Sequence, residues 1–136
     1  MTQSNTTSMF DDIKEFHIKI LGLDQPTEVS LVSQEFVLER MRFLLEEVEE
    51  FGQAGMSGNM VDAADALADI LYVALGTAWQ MNLPMKAIWD VVHAANMKKQ
   101  RGTTKRGNKV DASKPEGWVG PESAIAALLL RRIDNE

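Results

Sequence analysis

Cysteine is absent from this 136-residue chain. That excludes disulfides and thiolate metal sites, and nothing points to an oxidising compartment. The first eight residues, Met1 to Ser8, are polar and lack the apolar core of a signal peptide. No apolar run approaches the roughly 20 residues that span a bilayer. A cytoplasmic protein without membrane contact is therefore expected. Period-two alternation is nearly missing, so strands are not expected. No internal repeat recurs at a fixed period.

Basic groups are scarce over most of the chain. Residues 1–97 hold 5 basic and 15 acidic side chains, whereas residues 98–114 hold 7 basic and one acidic. The formal net charge is −6. An acidic body followed by a basic segment suits a partner that carries both signs of field, such as a metal-bound polyphosphate. The plainer reading is a solvated loop that balances the body. Nucleic acid is not expected as a partner, because the body repels a phosphate backbone.

What is present is helical periodicity. Phe10–Leu21 predicts a first helix, and Gly22–Thr27 a connection. A long helix is expected over 29–51, a glycine-bearing turn over 52–58, and a third helix over 59–81. Pro84 suits the first position of a fourth helix that runs to about Gln100. Residues 101–121 read as a basic loop and 122–133 as a short terminal helix. With 1–8 as a flexible start, this makes a single all-α domain. Its core is an antiparallel four-helix bundle.

The third helix carries the anomaly. Asp62, Asp65 and Asp69 fall within an arc of roughly 60° on a helix that is otherwise apolar on nearly every side. Tyr72 and Gly76 continue that stripe. Aligned acids on a buried helix repel one another and resist desolvation, which cations relieve. The second helix offers Leu44-Leu45-Glu46-Glu47-Val48-Glu49-Glu50-Phe51. Glu47 lies on the wheel between Phe36, Phe43 and Phe51, inside the apolar arc, and Glu50 lies about 60° away with Glu46 near it. Two antiparallel helices can bring Glu47/Glu50 and Asp62/Asp65 to one point. All-oxygen ligation selects a hard cation, Mg²⁺ or alternatively Mn²⁺.

Rival readings exist for each feature. An E-E-V-E-E run is most often a solvated helix face, and the aspartates have Arg40, Arg42 or another subunit as alternative partners. Asp90-x-x-His93 has the spacing of half a di-iron site, but such bundles use two Glu-x-x-His pairs. His93 is better read as a packed structural histidine, and Trp79 and Trp89 as core. Phe16-His17 could border a base pocket or pack a first helix. Trp118 could close over a ligand or bury at a subunit contact. A charged helical bundle also serves as a partner-binding module without catalysis.

Glu47-x-x-Glu50 and Asp62-x-x-Asp65, followed by Ala66-Leu67-Ala68-Asp69-Ile70-Leu71-Tyr72-Val73, resemble the all-α NTP pyrophosphatase superfamily. The likeness is greatest to short MazG-like and phosphoribosyl-ATP pyrophosphohydrolase-like proteins. Gly76-Thr77-Ala78, Val92 to Lys99, and Gly107-Asn108-Lys109-Val110 extend the resemblance. It implies Mg²⁺-dependent hydrolysis of a nucleoside triphosphate between its α and β phosphates, by a homodimer or dimer of dimers. Carried over by position, Glu47, Glu50, Asp62 and Asp65 are metal ligands. Glu46 holds a further metal or helps deprotonate water. Asn96, Lys99 and Lys109 meet the nucleotide, with Tyr72 beside them. The family's second motif is usually E-x-x-D. Here either Asp62 takes the glutamate position, or Asp69 is the ligand and Ala66 stands in the glutamate's place. Ala95 also stands where a serine is common.

Overall fold

The computed structural model describes residues 8–102 and 110–134, with the side chains of 133 and 134 left aside. Helix α1 spans Met9–Lys19, α2 Gln34–Met56, α3 Met60–Gln80, α4 Met85–Met97 and α5 Glu122–Asp134. A short antiparallel pair, β1 (Gln100–Gly102) and β2 (Asp111–Ser113), separates α4 from α5. The chain is thus all-α but for this pair. It divides into two compact units, Met1–Leu83 and Pro84–Glu136.

Local chemistry sets the helix ends. Ser8 caps α1 through a reciprocal pair with Asp11, so it belongs to the helix and not to a flexible tail. Helix α2 begins at Gln34, not near Val29. Ser33 Oγ accepts the Phe36 N–H at 3.0 Å. Ahead of it Val32 takes a left-handed φ of 65°, costly for a β-branched residue. Ser30 holds that segment, because its hydroxyl accepts the Val32 N–H and its own N–H donates to Met81 O. At the other end α2 runs through Gly52 and Gly55 to Met56. Only Gly58, at φ 75°, is needed for reversal. Asn59 then caps α3. Pro84 occupies the cap position of α4 and not its first turn.

In the first unit α2 and α3 pack as a helical hairpin, and α1 lies along the second half of α3. The closest approach is at Gly76. A Cβ there would stand 2.8 Å from His17 Cε1 and 3.1 Å from an Arg40 guanidinium nitrogen. Three helices meet at that missing side chain. His17 is buried, and its Nδ1–H donates to Ile13 O at 2.8 Å. Its ring packs on Trp79 and, edge to face, on Phe16. Arg40 donates to Thr77 Oγ1 at 2.8 Å and to Val73 O at 3.1 Å, with its guanidinium near the Phe36 and Phe43 rings. Burial pulls its pKa down, and the charge of Glu39 opposes this.

In the second unit α4 packs with α5. Helix α4 ends at Met97, not near Gln100. Strand β1 starts at Gln100, and the rest of β1 and all of β2 fall in the expected loop over 101–121, with Arg101 opposite Ala112. These strands are three residues long and polar, so they carry no apolar alternation to reveal them. His93 is exposed, contrary to its reading as a packed histidine, and Trp89 is 59 % exposed, contrary to its assignment to the core. The core histidine is His17.

Gly76→Ala should destabilise the protein by about 1–3 kcal/mol through overpacking. Helix propensity alone would give a gain of up to about 1 kcal/mol. Urea unfolding decides the sign, and a gain would remove the three-helix contact from the account.

Candidate active site

The α2–α3 turn opens a polar cleft of about 280 Å³ lined by Glu50, Gln53, Ala54, Ser57, Asn59, Asp62 and Asp65. Spacings of three and four residues along the last turns of α2 place Glu50, Gln53 and Ser57 on one face. Asp62 and Asp65 face them from the first turns of α3. Of the expected carboxylates, Glu50, Asp62 and Asp65 line this cleft and Glu46, Glu47 and Asp69 do not; amide and hydroxyl groups that charge patterning did not single out join them.

Deeper along α2, Glu47 is half-buried. Its Oε2 is closed off from solvent and has no hydrogen-bond partner. Desolvation raises the pKa of this carboxyl first. The charges of Glu50, Asp69 and Asp65 raise it further. Three acids of the α2–α3 hairpin, Glu50, Asp65 and Asp69, therefore act on Glu47. Asp69 is half-buried, whereas Asp65, Glu50, Asp62 and Glu46 are exposed. The first half of α3 is consequently less covered than its apolar composition implies, because α1 packs only along the second half.

Asp62 has a second task. Asn59 Oδ1 accepts its backbone N–H at 3.0 Å, and Asn59 Nδ2 donates to its carboxylate at 2.7 Å. An acid in the first turn of a helix also suits the helix dipole. An asparagine just before an apolar helical run, followed three residues later by an acid, is the sequence sign of this cap. The arginine alternative for the aspartates does not hold for Arg40, which is committed to Thr77 and Val73.

The donor set fits a hard divalent cation. It is all oxygen, it contains one solvent-shielded carboxylate oxygen with no partner, and its charges have one sign. Among the described residues, no three histidine or acidic side chains are gathered closely enough to coordinate an ion as they stand.

Tyr72 lies one turn beyond Asp69, 41 % exposed, with its ring edge to face on Phe16 at 5.3 Å. Beside it is an apolar hollow of about 180 Å³ walled by Met9, Ile13, Ala68, Leu71 and Leu75, with Asp12 at its border. Asn96 is exposed at the end of α4, and Lys99 is half-buried two residues beyond that helix. Lys109, with the rest of the Gly107–Lys109 element, lies outside the described residues.

The helical architecture is that of the all-α NTP pyrophosphatase class. The family model for phosphoribosyl-ATP pyrophosphohydrolase matches residues 13–96, and the chain belongs to that family. It is therefore a pyrophosphohydrolase acting on a nucleotide phosphoanhydride. The match includes every acid of α2 and α3 named above and ends at Asn96, before Lys99 and the basic segment. No curated protein matches the chain. Among the described residues, no helix is long and apolar enough to cross a membrane.

The raised Glu47 pKa fixes a pH dependence. The folded chain holds this proton more tightly than the unfolded chain does. The resulting stability is present below the ordinary carboxylate value of 4.5 and is lost as pH rises through the raised value. With metal chelated, Glu47→Gln should be more stable than wild type at neutral pH, and the gap should close on acidification. Denaturant titrations at several pH values check this, and parallel curves would contradict it.

Proposed function

We propose that the chain cleaves the α–β phosphoanhydride of a nucleoside triphosphate, releasing a nucleoside monophosphate and pyrophosphate with the help of Mg²⁺. One observation carries the reading: the shielded Glu47 oxygen without a partner, set among Glu50, Asp65 and Asp69. A bound cation would neutralise charge on the phosphates and make this crowding of acids favourable.

The proposed ligand set is Glu47, Glu50, Asp65 and Asp69. Asp69 is preferred over Asp62 because its charge acts on Glu47, whereas the Asp62 carboxylate is engaged by Asn59. Asp62 borders the cleft and remains an outer contributor. Attack by water forms a bond to the α phosphorus and breaks the bond to the bridging oxygen, so pyrophosphate leaves. The proton from water goes to an acidic side chain, and Glu46 is the proposed acceptor because it is exposed beside the row. Asn96, Lys99 and Lys109 are proposed to contact the nucleotide, with Tyr72 next to the base.

A second substrate has specific support. The matching family is described by its action on phosphoribosyl-ATP, whose cleavage breaks the same kind of bond. A panel of nucleoside triphosphates and phosphoribosyl-ATP, assayed for pyrophosphate release, distinguishes the two. In that assay Glu50→Gln and Asp69→Asn should keep the helical fold and lose turnover on the order of 10²-fold. Asp62→Asn should lose less than about tenfold. Unchanged turnover in Glu50→Gln would defeat the scheme, and a larger loss in Asp62→Asn than in Asp69→Asn would reverse the ligand choice.

The proposal includes a homodimer or dimer of dimers. Leu38, Met41, Leu45 and Val48 are each 42–51 % exposed along with Val37, and their three-four-three spacing makes a seam on α2. A second copy offering the same seam would cover it. Sedimentation equilibrium should give two or four times 15.1 kDa. A monomer at micromolar concentration would oppose this assembly.

A further inference from the structure

The basic segment that follows α4 contains one arrangement that helix chemistry does not explain. The Lys99 ammonium stands 5.1 Å from the centre of the Trp118 ring, and the Lys114 ammonium stands 5.1 Å from the same centre. The two charges therefore lie within about 10 Å of each other, close to one screening length in ~0.1 M salt. Among the described residues neither forms an ion pair.

Each partner is brought there by its own device. Lys99 follows the C-terminus of α4, where the helix dipole favours a cation. That accounts for Lys98 and Lys99 but not for Lys114, which comes from a separate segment. Strand β2 delivers Lys114. Gly102 in β1 lets that strand close up, since a Cβ there would stand 2.7 Å from Ser113 Oγ. A tight turn then folds Trp118 back: its N–H donates to Pro115 O at 3.0 Å, with Gly117 at φ 76°. The indole Nε1–H donates to Ala95 O at 2.8 Å and locks the ring to the end of α4. A hairpin, a turn and an anchored aromatic thus hold two like charges together, which a multivalent anion would offset.

We propose that Lys99, Lys114 and Trp118 form a polyphosphate-binding element of the second unit. Lys99 and Lys114 are the contacts, and Trp118 is the positioning residue that keeps both in place. This deepens the reading above and rests on it, because Lys99 enters there as a contact to the nucleotide. Lys114 and Trp118 are additions to it, and both lie beyond the family match. The chemistry recognised is that of linked phosphates, whether on a nucleotide or as free pyrophosphate.

The test uses the full chain with divalent metal chelated, and the indole N–H resonance of Trp118, assigned with Trp118→Phe. Titration with inorganic pyrophosphate should shift this resonance saturably. Orthophosphate and sulfate at matched ionic strength should bind more weakly. Lys114→Ala should weaken pyrophosphate binding about tenfold, while Lys114→Arg retains it. Titration with a nucleoside triphosphate separates the sources: tighter binding than pyrophosphate assigns the element to substrate, and weaker binding to the released product. A silent Trp118 resonance, or equal affinity in Lys114→Ala, overturns the proposal. If Mg²⁺-dependent turnover is present and Trp118 is silent, this inference alone falls. If pyrophosphate binds here and no nucleotide is cleaved, the proposed function alone falls.

Discussion

The meeting of α1, α2 and α3 in the first unit depends on the absence of a side chain at Gly76. Because α3 is bare there, the imidazole of His17 and the guanidinium of Arg40 can both reach its backbone surface. Arg40 then ties α2 to Val73 and Thr77, and His17 ties α1 to the same stretch through Trp79. Glu47 lies seven residues after Arg40, two helical turns along α2, and Asp69 lies seven residues before Gly76 on α3. The contact at Gly76 therefore fixes the register in which the acids of the two helices confront each other. A slip of one turn would separate Glu47 from Asp69 and leave a row of ordinary surface charges.

The division between structural and chemical charge follows from that register. Arg40 is a cation part-buried between α2 and α3, and hydrogen bonds to a hydroxyl and a carbonyl occupy it. It does not neutralise the acidic row. The row is left with its own mutual repulsion, concentrated at the shielded oxygen of Glu47. A protein under no demand except stability would replace such an oxygen with an apolar group. Retaining it signals chemistry, and the family assignment supplies the kind of chemistry.

Much of this was legible in the sequence. The helix count followed from periodicity, and the acid spacing singled out Glu47/Glu50 and Asp62/Asp65, with Asp69 as the alternative to Asp62. Their order resembled the family that the chain belongs to. What escaped depends on contacts distant in sequence. Gly76 could be placed on the acidic stripe, but the partners that require its small size come from α1 and α2. His17 was read as ambiguous, and His93, near a familiar motif, drew attention that burial did not justify. The β1–β2 pair was missed because strands three residues long have too little pattern to register. The start of α2 was misplaced because the apolar Val29, Leu31 and Val32 extend its periodicity. The left-handed φ at Val32 and the cap at Ser33 are decided by the segment's tether to Met81. The competition between cap and cleft at Asp62 needed side-chain positions to be seen at all.

That competition links folding to loading. Asn59 steadies the first turn of α3 by gripping the aspartate that faces the cleft. Under the proposed function, any pull of a bound cation on this outer carboxylate would loosen the grip and fray the turn. A stronger grip would stiffen the first turn and hold Asp62 away from the cation. Firmness of that turn and reach into the cleft are thus opposed at a single residue.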